Sequence, residues 1–123
     1  MNFEEENPLV EVAMQIIIHA GDSREKASQA LKHAKEGNYE QAHACIGEAK
    51  ELIIKAHHEQ TDVVQSEAAG KHYDINLLFI HAQDTLMTIK SEVKLAAEMV
   101  EMYELFDKKI EALRKIEEDQ HEQ

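Results

Sequence analysis

Residues that break helices are scarce in this chain, and no other feature restricts its fold as much. Its 123 residues include a single proline, Pro8, and four glycines, the two residue types that disfavour helices most strongly. Apolar residues recur with the 3.6-residue helical period through three long segments. Aromatic residues are only 5% of the chain, so the core must be aliphatic. We predict an all-α fold, an up-down-up three-helix bundle.

The expected helices are separated by two breaks. The first runs over about residues 8–35, with Asn7 as a possible cap and Gly37 after its end. The second covers about residues 39–66, and a loop containing Gly70 follows to about residue 74. The third starts near Ile75 and continues to about residue 118. Gly21 is expected to weaken the first helix midway, because glycine is a poor helix former.

The chain is long enough for one compact domain and too short for two. We place this domain over about residues 8–108. Residues 1–7 are expected to be a flexible N-terminus, and about residues 109–123 an acidic helical extension or a frayed tail.

The third segment has two faces that look buried rather than one. With His81 at zero and about 100° per residue, one face lies at roughly 60–160° and the other at roughly 240–340°. The first stripe is the one expected to pack on the other helices, and it contains Ile75, Leu78, Phe79, Ala82, Leu86, Ile89, Val93, Ala96 and Val100. The second contains Leu77, Ile80, Asp84, Met87, Thr88 and Ser91. A three-helix protomer needs only one apolar face on this helix, so the second predicts self-association through it.

A histidine and an aspartate interrupt the apolar pattern of this helix, and self-association would explain their positions. His81 lies at the seam between the two stripes, and Asp84 lies inside the second. If the second stripe packs around a symmetry axis, the copies of Asp84 meet there. Like carboxylates that lose water need protons or a cation between them.

Charge and cysteine content exclude several classes of partner and compartment. The net charge is −12, which disfavours nucleic acid and anionic membrane surfaces and favours a basic protein partner. A single cysteine, Cys45, excludes an internal disulfide and suits a reducing compartment. No signal peptide or run long enough to span a membrane is evident. We therefore expect a cytoplasmic protein.

Four blocks in the sequence resemble one family in order. The stretch "HAQDTLMT", which begins at His81, is similar to the phosphorylation motif of the lactose/cellobiose-class IIA components of the bacterial sugar phosphotransferase system. The blocks "AGDSREKASQAL", "AKEGNYEQA" and "KAHHEQTDVVQSEA" also fit, and the resemblance covers about residues 8–108.

The resemblance implies a fold, an activity and partners. It implies a homotrimer, a nine-helix bundle packed through the third helices, and a phosphotransferase with a phosphohistidine intermediate. His81 would accept a phosphoryl group from the histidine phosphocarrier protein. It would then pass the group to a cysteine of the IIB component, beside the IIC membrane permease that takes up and phosphorylates a β-linked disaccharide. Asp84 from each subunit would hold Mg²⁺ or another divalent cation at the axis, and Gln83 and His57 are candidate supporting residues.

Two positions bear on the details of this prediction. The family usually has histidine where this chain has Thr85, so the local site must differ, although a hydroxyl can also hydrogen-bond a phosphoryl oxygen. Ala82 in place of glycine favours the cellobiose/chitobiose branch over the lactose branch. The sugar itself is left open, because in this family the membrane component selects it.

Alternatives from other classes remain at this point. Taken alone, a histidine such as His81 is more often an interfacial residue than a nucleophile. The stretch "AKEGNYEQAHACIGEA" resembles the turn of tetratricopeptide-type helical hairpins, which would make the chain a non-catalytic interaction module. Such modules repeat about every 34 residues, and here the turn occurs once. A purely structural trimer is the third possibility, and it predicts a dispensable His81.

Overall fold

Three helices in antiparallel succession form the described part of the protein. The computed structural model describes residues 7–74 and 76–122, and helices occupy Leu9–Lys35 (α1), Tyr39–Ala68 (α2) and Leu77–His121 (α3). Helix α1 packs against both other helices, and the α2–α3 contact is smaller. The all-α, up-down-up bundle is confirmed for the described residues. The predicted N-terminal flexibility concerns mostly residues 1–6, which lie outside them, as does Ile75.

Glycine residues end α1 and α2 in the same way. Gly37 has φ +80° and Gly70 has φ +105°, values in the left-handed region that glycine adopts without strain. After α1, the Gly37 N–H bonds Ala34 O at 3.1 Å and the Asn38 N–H bonds His33 O at 2.9 Å. This pair of bonds is a Schellman motif, which satisfies the last carbonyls of a helix.

Asparagine side chains cap the starts of α1 and α3. The Leu9 N–H donates to Asn7 Oδ1 at 3.0 Å, as expected for an asparagine cap. The Phe79 N–H donates to Asn76 Oδ1, also at 3.0 Å. Asn76 therefore precedes α3 rather than lying within it, because its side chain satisfies an N–H of the first turn.

The core is the aliphatic stripe that the helical period predicts. On α3, every predicted core residue from Phe79 to Val100 is buried, and Leu78 is half-buried. On α2, Val63 is buried, whereas its neighbour Val64 is exposed, although both are apolar. Adjacent residues on a helix point about 100° apart, so both could not face one core.

Three local expectations can be compared with the structure. Gly21 lies within an unbroken α1, because the helix buries Ala20 and Ser23 on either side of it. Helix α2 continues to Ala68, so the connection to α3 begins at Ala69, later than expected. The end of α3 is also ordered further than expected, since the helix continues to His121.

Candidate functional site

His81 lies near the start of α3, on a face that the rest of the chain leaves open. It follows the capped first turn, and its ring is exposed while the next residue, Ala82, is fully buried. The backbone of α3 at this point is thus held against the bundle, and the imidazole projects away from it. An exposed imidazole on a rigid helix is accessible to the active site of a second protein.

Gln83 and Thr85 follow His81 in the same motif, but only Thr85 lies on the same side of the helix, because residues two apart do not face each other. Both are half-buried. Thr85 is four residues after His81, which places it one turn further along the same side of the helix. Gln83 lines a cleft of about 270 Å³ together with Ile80, Tyr73 and Val64. This cleft runs between the end of α2, the following loop and the start of α3, so the predicted motif borders a concave surface.

His57 makes its hydrogen bond within α2. It is exposed on α2, and its Nδ1 lies 3.2 Å from Thr61 Oγ1, one turn along the same helix. Within residues 7–74 and 76–122, no hydrogen bond joins it to His81. A supporting role for His57 stays a prediction.

Asp84 is exposed in the single chain, on a face that is otherwise largely apolar. Near it on this face lie Ile80 and Met87, which are 43% and 49% exposed, and Leu77 is 80% exposed. Large apolar side chains left this open on an ordered helix are typical of an interaction surface. We call Leu77, Ile80, Asp84, Met87, Leu95 and Met102 the axial stripe.

The described residues of a single copy do not by themselves form a metal site. Among the side chains that the structure describes, no group of three or more His, Cys, Asp or Glu residues could hold a metal ion. The donor at the axial stripe is one carboxylate per chain, and oxygen donors suit a hard cation such as Mg²⁺. The Asp84 carboxylate therefore fits such an ion only where several copies meet.

Periodicity over the central part of α3 did not predict how far the exposed face extends. Leu95 and Met102 continue it beyond Ser91 and are about half exposed. The same helical wheel, continued to the end of the chain, would have revealed them. The open groove lined by Tyr39, Met99 and Phe106 was not predicted either, because it depends on how the α1–α2 turn meets α3.

The residues that the structure describes thus define a small all-α chain, with an exposed histidine on its third helix beside an exposed apolar stripe. Comparison with known proteins gives the family. The family described as "PTS system, Lactose/Cellobiose specific IIA subunit" matches residues 11–104, and the chain belongs to it.

Relatives and solved structures agree with this assignment. The chain is 42% identical over 94 residues to the lichenan-specific phosphotransferase enzyme IIA component of Bacillus subtilis, covering 76% of this chain and 86% of that one. It is 35% identical over 100 residues to the N,N'-diacetylchitobiose-specific EIIA component of Escherichia coli K12, covering 81% and 86%.

The fold is shared with solved members of this family. The crystal structure of a cellobiose-specific enzyme IIA from Bacillus anthracis superimposes with a TM-score of 0.74 at 42% identity, covering 83% of this chain and 90% of that one. The chitobiose IIA of E. coli, in its complex with HPr, superimposes with a TM-score of 0.71 at 35% identity, covering 80% and 96%. In the described part of the chain, no helix is long and apolar enough to cross a membrane.

Proposed function

We propose that His81 is the phosphoryl acceptor and donor of a IIA phosphocarrier in sugar uptake. One ring nitrogen of His81 attacks the phosphorus of the phosphohistidine on the histidine phosphocarrier protein, and the nitrogen–phosphorus bond of the donor breaks. In the second step a cysteine thiolate of the IIB component attacks the same phosphorus, and the bond to His81 breaks. The exposed His81 ring on a rigid helix is the observation that carries this proposal.

The position of His81 suits this chemistry. A neutral imidazole has one unprotonated ring nitrogen, which can act as a nucleophile. Side chains on a helix lean towards its N-terminus, which places a phosphoryl group on His81 towards the first turns of α3. The helix dipole favours negative charge there. Phosphoryl transfer between such groups depends mainly on alignment and charge compensation.

The identity of the partners is supported by the relatives. A solved relative forms a complex with HPr, and membership of the IIA family implies transfer to a IIB component and, through it, to the membrane permease. The relatives that match are named for lichenan, N,N'-diacetylchitobiose and lactose. We therefore assign a β-linked saccharide of the cellobiose/chitobiose type as the transported sugar and the cytoplasm as the compartment.

The assembly that we propose is a homotrimer around the axial stripe. Three copies packed through α3 bury Ile80 and Met87 of each chain, and the three Asp84 carboxylates converge. They would hold Mg²⁺ or another divalent cation, which neutralises their mutual repulsion when bound. Asp84 thus acts on assembly and His81 on phosphoryl transfer. Thr85 lies one turn after the acceptor, where its hydroxyl can donate a hydrogen bond to a phosphoryl oxygen, and Gln83 of the same motif supports the site from the adjoining cleft.

Intact mass spectrometry tests the acceptor directly. The protein is incubated with phosphoenolpyruvate, enzyme I and the histidine phosphocarrier protein, and one added phosphoryl group per chain is expected. The adduct should be acid-labile and absent from His81→Gln. The matched control is His72→Gln, since the side chain of His72 is 90% exposed and lies outside the motif. If the wild-type protein takes no phosphoryl group from donors that are active on another acceptor, the chain is instead a non-catalytic helical module.

A further inference from the structure

Helix α3 continues well past the part of the chain that matches the family. The family match ends at residue 104, whereas the helix continues to His121. The last polar contacts to α2 are made close to this boundary, by Glu104 with His43 at 2.7 Å and by Asp107 with Tyr39 at 2.8 Å. All described residues from 105 to 122 are exposed. The remaining four turns or so, which we call the extension, project from the bundle.

The two faces of α3 change differently at this point. The face that packs on the bundle, at roughly 60–160° from His81, becomes charged. In the extension it carries Asp107, Glu111, Arg114, Lys115 and Glu118. The axial stripe stays apolar, and it continues through Leu105, Phe106, Ile110, Leu113 and Ile116. These five side chains are between 49% and 66% exposed. Their sector is centred at about 300°, the angle of Asp84 and Met102.

We propose that the extension forms a parallel three-stranded helical stalk with the same segment of two other copies. The proposal rests on the self-association in the proposed function and extends it beyond the family domain. Rotation about a threefold axis keeps equivalent helices pointing the same way and keeps equivalent residues at the same height. The extension is an unbroken continuation of α3, and its apolar residues share the sector of Asp84, so copies that meet at Asp84 would also bring Leu113 and Ile116 together.

The width of the apolar sector fits two neighbours better than one. From Leu105 at about 240° to Ile110 at about 20° it spans about 140°. A two-stranded coiled coil needs only a narrow seam of alternating positions, whereas a helix that contacts two neighbours buries a wider sector. Lys109 and Glu117, at about 280° and about 0°, are charged residues inside the sector, and the long stem of Lys109 can carry its ammonium group to solvent.

A groove at the base of the extension agrees with a second copy as the occupant. Met102, Phe106 and Ile110 line it together with Tyr39, and its volume is about 470 Å³. Three of these four residues belong to the same apolar sector, so a neighbouring α3 that docks on the sector covers the groove as well. An isolated helix as short as the extension is only marginally stable in water, and the stalk contacts would stabilise it.

Paired substitutions separate the stalk from its solvent face. The stalk variant is Leu113→Gln with Ile116→Gln. The control variant is Lys115→Gln with Glu118→Gln, which introduces the same residues on the charged face and leaves the net charge unchanged. Sedimentation velocity over a concentration series measures trimer dissociation. We expect the stalk variant to raise the dissociation concentration roughly tenfold or more, and the control variant to match the wild type.

Cross-linking tests whether the copies are parallel and level. In a Cys45→Ala background, Leu113→Cys should give covalent dimers on mild oxidation, because equivalent side chains meet across the axis. Lys115→Cys, on the charged face, should stay monomeric in a denaturing gel.

Each result decides the proposal. The stalk is overturned if the wild-type trimer dissociates like both variants and does not cross-link through position 113. The trimer itself would then remain, and the extension would be a solvated tail or a site for another protein. A monomeric wild type would overturn both. Phosphorylation of His81, measured on the same samples, reports separately on the phosphocarrier function.

Discussion

The Tyr39 hydroxyl donates a hydrogen bond of 2.8 Å to Asp107 Oδ2, which joins the start of α2 to the last turn of α3 that touches the bundle. The carbonyl oxygen of Tyr103 lies further away, at 3.2 Å, so the carboxylate is the closer acceptor. This bond raises the pKa of Tyr39 to about 12, because ionisation would place a phenolate against a carboxylate. The base of the extension therefore depends on a protonated tyrosine.

We expect the Tyr39–Asp107 contact to fail in alkaline solution. A pKa that is higher in the folded protein than in the unfolded chain, where it is about 10, stabilises the fold below pH 10. This stabilisation is lost as the pH rises from about 10 to about 12. Thermal unfolding followed by circular dichroism between pH 9 and pH 12 measures this loss of stability.

Tyr39→Phe should flatten the alkaline fall in melting temperature, and Tyr73→Phe, at the other end of the bundle, should retain that fall. Identical alkaline profiles for wild type and Tyr39→Phe would contradict this account.

Ser23 should contribute to stability despite being small. It is fully buried, and its Oγ donates to Ala49 O at 2.7 Å, linking α1 to α2. A typical hydrogen bond of this kind is worth about 1 kcal/mol, and the higher helix propensity of alanine offsets part of its loss. Ser23→Ala should lower the free energy of unfolding by about 0.5–1 kcal/mol, measured by urea denaturation at fixed protein concentration.

Ser28 offers a control on the same helix, because it is exposed. Ser28→Ala should be neutral or slightly stabilising. If both variants were equally stable, the Ser23–Ala49 bond would have no net effect on folding.

The helical period predicted the core of this protein well, because the aliphatic stripe on each helix can be buried only against the other two helices. Leu86, Ile89 and Val93 are buried as expected. The exceptions have local causes. Val64 follows a residue that already faces the core, and Ser23 is buried because a carbonyl on another helix accepts its proton. The latter depends on the packing of α1 on α2, which periodicity within one segment does not describe.

The candidate site was predicted from resemblance rather than from periodicity. A helical wheel places His81 at a seam, but it does not distinguish an interfacial histidine from a nucleophile. The prediction that His81 is a nucleophile came from the resemblance of the motif that starts at His81. Asp84 and Met87 are exposed in a single chain, and what covers them in solution depends on a partner rather than on this helix. A single sequence indicates such a contact only indirectly, by an apolar stripe that no other segment of the chain is predicted to cover.

Thr85 should affect the rate of phosphoryl transfer without being the acceptor. It is half-buried, one turn after His81, where its hydroxyl can bond a phosphoryl oxygen. Thr85→Val keeps the shape and removes the hydroxyl. One neutral hydrogen bond of about 0.5–1.5 kcal/mol corresponds to a loss of roughly twofold to tenfold in the rate of adduct formation, followed by rapid-quench mass spectrometry.

Thr88→Val supplies the comparison, since Thr88 is exposed further along α3. It should react at the wild-type rate. Complete loss of the adduct in Thr85→Val would show a larger role than one hydrogen bond, and an unchanged rate would exclude contact between the hydroxyl and the transferred group.

Asp84→Leu should preserve or strengthen the trimer. It removes one carboxylate per chain from a face that otherwise presents Ile80 and Met87, and like charges brought together without water oppose association. We expect the concentration at which the trimer dissociates to fall, by roughly tenfold, in sedimentation experiments.

EDTA should weaken the wild-type trimer, whose carboxylates would lose their cation, and should leave the variant unchanged. Asp22→Leu removes a carboxylate from the exposed surface of α1 and should behave as wild type. A variant that dissociates more readily than wild type would mean that the Asp84 carboxylate itself holds the subunits together, and monomers in both would show that the stripe is not an axis.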